Sequence, residues 1–456
     1  MERFRRSTDG RGRSSIKQEI KGMAVVHPSF FEAFKFWLKL GFISFGGPAG
    51  QISIMHQEVV EKKKWISNDR FLNALNYCML LPGPEAQQLT IYIGWLLHKI
   101  PGGIVAGSLF VIPSMFILFV LSYIYAAFGN VFLVESFFNG LKASVMAVVF
   151  AAVIKIGKKS LKNSLLAGIA AFSFIAIFFL KIPFPFIIIF AGVIGFSGSF
   201  LFPDKFQASK SKDVRGLEDE GYVVICENTD VCHIVPSSGK SIGILISFII
   251  LWVIPVAILY SISAYKVFYT EALFFTKAAF MTFGGAYSVL AYIAQAGVEQ
   301  YFWLTRPQMM DGLGLAETTP GPLIMVVQYV GFMAGWNYHG DLSPLSGAAI
   351  GSLIATYFTF LPCFMFIFLG APYIEKLRDN QKISSALSGI TAAVVGVVLN
   401  LAVWFGMYLI FPQTGIINWF ALVLGILSFT AMQWLKIGMI PVIAVSGITG
   451  VVWNLF

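Results

Sequence analysis

Leu80-Leu81-Pro82-Gly83-Pro84-Glu85-Ala86-Gln87-Gln88 interrupts an apolar segment running from about Phe71 to Leu97, long enough to cross a membrane. Two prolines and a glycine remove backbone donors and break the helix in its middle. Open backbone at membrane depth is tolerated only where protein buries it or a wet cavity receives it. A second half-helix beginning at Glu85 would present free N–H groups and a positive dipole end, which together suit an anion. Thr318-Thr319-Pro320-Gly321-Pro322 repeats the device.

Composition sets the class. Of 456 residues, 57% are hydrophobic and 12% charged, and the mean hydropathy is +0.77. Soluble domains carry about a quarter charged residues, so an all-α, polytopic membrane protein is expected. The net charge of +9 would suggest nucleic acid in a soluble chain. Here it reflects basic residues retained in the tail and short loops, and no nucleic-acid partner is expected.

The apolar pattern predicts about thirteen segments. A basic tail over 1–29, on the cytoplasmic side, precedes a first transmembrane repeat over 30–202. A polar cytoplasmic linker covers 203–240, a linking helix 241–267, and a second repeat 268–456. Cys226, Cys232 and His233 share the linker, but their spacing fits no zinc template. No metal or cofactor is expected. Cys78 and Cys363 lie in apolar segments and read as small packing residues.

The duplication is visible residue by residue. Phe45-Gly46-Gly47 matches Phe283-Gly284-Gly285 at an offset of 238. Trp65 matches Trp303, and Pro82-Gly83-Pro84 matches Pro320-Gly321-Pro322, at the same offset. Pro113/Pro362, Gly140/Gly389 and Gly157/Gly406 match at 249, which places the extra length around 336–347. Seven segments separate the repeat starts, and an odd number inverts the second copy. Loop charges agree except at the lone residues Lys181 and Lys266, which the rule tolerates, and at the cluster Lys62-Lys63-Lys64, which falls on the wrong side. The cluster changes side if the first segment turns back at Gly46-Gly47-Pro48 and the second turns back at its Pro-Gly-Pro. Inverted repeats with broken helices are the build of secondary transporters, whose sites lie between the halves.

Ionisable groups inside such segments are functional candidates by default. Lys39 and Lys277 are repeat mates, six residues before each Phe-Gly-Gly. They would bind a doubly charged oxyanion, unless each snorkels to a surface. Glu85 and Glu317 flank the breaks as coupling or gating carboxylates, or as helix caps; Glu85 aligns with Leu323 at the 238 offset. Gln51, Gln87, Gln88, Thr318 and Thr319 would donate to the oxyanion or tie the freed backbone. Gly46, Gly47, Gly284 and Gly285 allow close approach of a ligand or of a neighbouring helix. Pro48, Pro82, Gly83, Pro84, Pro320, Gly321 and Pro322 make the breaks. No nucleophile–base pair, metal signature or nucleotide loop is present in the sequence, so an enzyme is not expected and any driving force is an ion gradient or the membrane potential.

Several motifs resemble the chromate ion transporter family in its long, two-half form. The first half carries Phe45-Gly46-Gly47-Pro48-Ala49-Gly50-Gln51, Trp65-Ile66-Ser67, the run from Leu75 to Gln88, and Tyr92-Ile93-Gly94-Trp95. The second carries Thr282 to Tyr287, Asp311 to Pro322, and Phe368-Leu369-Gly370-Ala371-Pro372-Tyr373. The likeness runs from about Phe30 to Gly406 and fades in the linker. The resemblance implies an inner-membrane carrier of two antiparallel halves that expels chromate, competes with sulfate and confers chromate resistance. Alternatives are a carrier for sulfate or another tetrahedral oxyanion, including an inward one, and a passive anion channel. Expected partners are chromate or sulfate as substrate, the lipid bilayer, and a second copy of the chain in a homodimer.

Overall fold

The computed structural model describes residues 27–45, 47–201, 238–262, 266–373, 381–412 and 416–456. The tail, the linker with Cys226, Cys232 and His233, and Gly46 lie outside them. The described residues form sixteen helices and no strand. In the first half these are α1 (Phe30–Ile43), α2 (Gly47–His56), α3 (Asn68–Cys78), α4 (Glu85–Phe128), α5 (Phe132–Ser160), α6 (Ser164–Phe178) and α7 (Phe184–Leu201). The linking helix is α8 (Ser238–Ser261). The second half has α9 (Lys266–Phe280), α10 (Ala286–Gln295), α11 (Arg306–Thr318), α12 (Val326–Asn337), α13 (Pro344–Gly370), α14 (Gln381–Ile410), α15 (Trp419–Gln433) and α16 (Met439–Leu455). Five of them, α4, α5, α8, α13 and α14, are long and apolar enough to cross a membrane, and the chain is a multi-pass membrane protein.

The first two apolar segments of each half turn back. Trp65, reached through α2 and the π-helical turn Gln57–Lys62, returns to stack edge-on against Phe36 of α1 at 4.8 Å. Lys63 Nζ lies 3.6 Å from Glu32 in the first turn of α1. The second segment returns as well. His98, at the far end of the first arm of α4, meets the carbonyl of Pro28 at 3.0 Å. The second half repeats both returns: Trp303 packs on Phe274 at 5.3 Å, and Asn337 Nδ2 donates to the Trp303 carbonyl at 2.9 Å. These folds bring Lys62, Lys63 and Lys64 to the side where α1 begins, which removes the misfit in the loop charges. Arg306 moves the other way, and there it pairs with Glu299 at 3.1 Å. Two fewer crossings separate the repeat starts, the number stays odd, and the inversion stands.

The repeat extends to single hydrogen bonds. Trp65 N donates to Val59 O and Trp303 N to Gly297 O, both at 2.8 Å, and Ser67 and Thr305 each cap the following helix. After the breaks the register differs from the expected one. The 3₁₀ turn Leu323–Met325 precedes α12, whereas α4 starts directly after Pro84. Those three residues shift the offset to 241, so Gly94-Trp95 corresponds to Gly335-Trp336 and Glu85 to Val326 rather than Leu323. Part of the extra length therefore sits at the second break itself, not only around 336–347.

Small residues hold the halves together. The arms of α4 reverse at His98 and Lys99, whose backbone leaves the helical region, and Gly94 faces the Gly102 backbone across the hairpin. Gly331 and Gly335 meet Gly351 and Gly347 in the same way between α12 and α13. At the centre α5 packs on α14, while α5 also takes α15 and α16, and α14 takes α6 and α7. Gly140 rests on Gly450, and its repeat mate Gly389 rests on Gly195. In lipid no water drives helices together, so backbone contacts of this closeness supply the packing energy. Each half thus clasps the terminal helices of the other.

Candidate functional site

The two Pro-Gly-Pro breaks lock reciprocally across the halves. Gly83 N donates to Thr282 O, and Gly321 N donates to Ser44 O, both at 2.8 Å. Ser44 and Thr282 are repeat mates, and each hydroxyl returns to its own helix, at Leu40 O (2.6 Å) and Ala278 O (2.7 Å). Each break therefore satisfies the last turn of the helix before the other half's Phe-Gly-Gly. The glycines are also sterically matched. A methyl on Gly321 would stand 2.8 Å from Ser114 Cβ, and one on Gly83 2.9 Å from Cys363 Sγ. Ser114 and Cys363 follow the repeat-mate prolines Pro113 and Pro362. Cys78 and Cys363 are both free and buried, as packing residues should be.

Four helix starts gather at this crossing: α2, α4, α10, and the turn that leads into α12. Gln51, one turn into α2, donates to the Gly321 carbonyl. Glu85, the first residue of α4, reaches the N-cap of α10, where a methyl on Gly285 would lie 3.2 Å from its Oε1. Gly47 and Gly285 are repeat mates with φ of 68° and 97°, a region that admits glycine without strain. Pro84 caps α4 and Gly285 caps α10, and neither contributes a side-chain cap. Their first-turn N–H groups keep their hydrogen-bonding capacity and their share of the dipole.

The polar side chains divide into those that brace and those that remain open. Gln88 Nε2 donates to Pro82 O at 2.8 Å and Thr318 and Thr319 donate to Leu315 O and Ala316 O, so these three tie the freed backbone. Glu317 accepts from Tyr287 at 2.9 Å. Gln87 is fully buried, and neither end of its amide has a partner among the described residues. The Glu85 Oε2 atom is likewise buried and unpaired among them. Gln328 occupies the Gln87 position in the other half. Its Nε2 donates to Met115 O at 2.7 Å and its Oε1 is open. The 238 offset hides this pairing; the 241 offset of Gly-Trp exposes it.

Lys39 and Lys277 stand apart from the crossing. Both are exposed, on helices whose buried residues include Phe36, Trp37 and Leu40 in α1, and Phe274, Phe275 and Ala278 in α9. Lys39 lies within electrostatic reach of Glu58. Among the described residues, no group of His, Cys, Asp or Glu could hold a metal ion.

Gln87→Leu separates bracing from ligand contact. Replacing a buried group that has no partner by an apolar one of similar shape is near neutral or stabilising. The variant should keep wild-type melting behaviour in detergent and lose about tenfold or more in anion flux, roughly 1.4 kcal/mol at the binding step.

The model of the family described as chromate transporter matches residues 31–196 and 270–451, one stretch in each half. The chain is 25% identical over 384 residues to a probable chromate transport protein of Synechococcus elongatus, covering 84% of this chain and 86% of that one. It is 26% identical over 369 residues to a chromate transport protein of Cupriavidus metallidurans, covering 81% and 80%. An uncharacterized transporter of Methanocaldococcus jannaschii is 26% identical over 429 residues, covering 93% and 94%. No solved structure matches. With two matched stretches that cover most of both inverted halves and include both breaks, the chain belongs to the chromate transporter family.

Proposed function

We propose that this protein is a carrier, not an enzyme, that moves chromate out across the cytoplasmic membrane with its N-terminus inside, and so confers chromate resistance. The observation that carries the reading is the reciprocal Gly83–Thr282 and Gly321–Ser44 lock, which sets four helix starts against one another without a lysine or arginine among the residues that build it. Each helix start is equivalent to about half an elementary charge, so four supply roughly two, the charge of the oxyanion. Backbone dipoles match a dianion without the salt bridge that would hold it too tightly to release. The Glu85 carboxylate at the α10 start is an internal anion in the same place, and the substrate takes that place when Glu85 withdraws.

Lys39 and Lys277 act in this account as approach charges, one in each inverted half, that raise the local anion concentration. A dianion leaving a negative interior gains roughly 2 × 2.3 kcal/mol per 100 mV, which sustains about a thousandfold gradient. The membrane potential alone is therefore sufficient drive. Labelled chromate uptake into inside-out vesicles tests this. Uptake should rise with an inside-positive potential and fall with excess sulfate. Robust sulfate flux without chromate uptake would overturn it in favour of a sulfate carrier, and conductance far above carrier rates would make it a channel.

A further inference from the structure

A second polar cluster lies away from the crossing, between the halves. Lys142 is the eleventh residue of α5, about 15 Å along the axis from the helix start, near the middle of a hydrocarbon core of about 30 Å. A lysine at that depth cannot reach water by extending, and its side chain is only 14% exposed. Its Nζ lies 3.6 Å from Oδ2 of Asp311 on α11, which is 1% exposed. Tyr125, on the second arm of α4, donates to the same Oδ2 at 2.9 Å. Lys142 also donates to Asn139 at 3.1 Å. Asp311 Oδ1 has no hydrogen-bond partner among the described residues, and the hydroxyl of fully buried Tyr329 interacts with that of Tyr125.

An ion pair in an apolar interior is weak support for a fold, because well-packed apolar residues do as well or better. This pair is also loose. Its separation exceeds a charge-assisted hydrogen bond, and one carboxylate oxygen is left open. Glycines let α11 sit deep in the cluster: a methyl on Gly314 would press on Leu141 and Val145, and one on Gly312 on the Tyr329 ring. Other charges are remote. The 3₁₀ turn and α16 carry no titratable side chain. Lys382 and Tyr408, near the ends of α14, are not among the groups that act on Asp311; Lys142 and Tyr125 are.

We propose that Asp311 and Lys142 form a proton-gated station for a tetrahedral dianion. A proton from the aqueous side binds Asp311 Oδ1 and neutralises the carboxylate. The Lys142 ammonium then lacks its counter-charge, and together with the hydroxyls of Tyr125 and Tyr329 it holds the oxyanion. Release of the anion restores the pair and returns the proton. By linkage, proton and anion strengthen each other's binding by the same factor. The inference rests on oxyanion transport as the function, and it adds one proton to each anion held here.

Binding of labelled sulfate, whose charge does not change across the neutral range, to purified full-length protein at several pH values tests it. Wild-type affinity should rise as pH falls. Asp311→Asn, which mimics the protonated carboxyl, should flatten that dependence and bind at least about tenfold more tightly at alkaline pH. Lys142→Gln should weaken binding about tenfold or more at every pH. The double variant has no buried charge left unpaired, so it controls for folding, and it should bind as weakly as Lys142→Gln. A wild-type pH profile in Asp311→Asn, or unchanged affinity in Lys142→Gln or in the double variant, would overturn the station alone. Wild-type protein that binds neither sulfate nor chromate would remove the transport reading and the station with it.

Discussion

Gly321→Ala should lower oxyanion flux by roughly tenfold to a hundredfold, from about 1–3 kcal/mol of backbone strain at the break. Gly321 has a φ of 95°, which an alanine adopts only at a cost, and the new methyl would press on Ser114. Either response pulls Gly321 N away from Ser44 O, and the lock that fixes the two halves' helix starts is lost on one side. Ser114→Gly should recover part of the loss, because it relieves the contact but not the φ. Gly83→Ala should behave alike, with its methyl 2.6 Å from Gln88 Nε2, since the lock is reciprocal. Flux in proteoliposomes, normalised to protein that elutes as a single species, checks all three. Equal flux in Gly321→Ala and wild type would mean that the lock does not shape the site.

Glu85→Gln should tighten oxyanion binding while slowing turnover. The carboxylate sits at two helix starts at once, its own and that of α10. A favourable, partly buried charge at a helix start is worth up to about 2 kcal/mol, so removing this internal competitor should lower the apparent Kd about tenfold or more. The neutral amide cannot fill the vacated site, so the empty carrier should return more slowly. Equilibrium binding and the rate of net flux at saturating anion measure the two effects separately. Weaker binding in Glu85→Gln would make the carboxyl a ligand-orienting group rather than a stand-in for the substrate.

Much of this arrangement was legible in the chain. The two breaks, their duplication and the odd number of segments follow from residue offsets, because proline and glycine act on the backbone wherever they stand. The misfit at Lys62-Lys63-Lys64 left re-entrant segments as one way out, and Glu32 and Trp65 show how the first of them closes. Pairing of Lys39 with Lys277 reports duplication, and it does not by itself tell exposure from burial; both lysines are exposed.

Other features are tertiary. Nothing in a single stretch says that Gly83 bonds to Thr282, or that Thr318 and Thr319 turn inward to their own helix. Gln328 was hidden by three residues of 3₁₀ turn that move the register from 238 to 241. Lys142 was within reach of a simple question, namely which charged residues lie near the middle of an apolar helix. It lacks a charged repeat mate, since Thr391 stands at the 249 offset, so a search by symmetry passes over it.

The most direct test of the account is to locate the bound anion. Crystals of the full-length protein soaked with chromate, and measured at the chromium absorption edge, should show the strongest anomalous peak between Gly83, Gly285 and Gly321, at the starts of α4 and α10. A strongest peak beside Lys39 or Lys277, with none at the crossing, would contradict it.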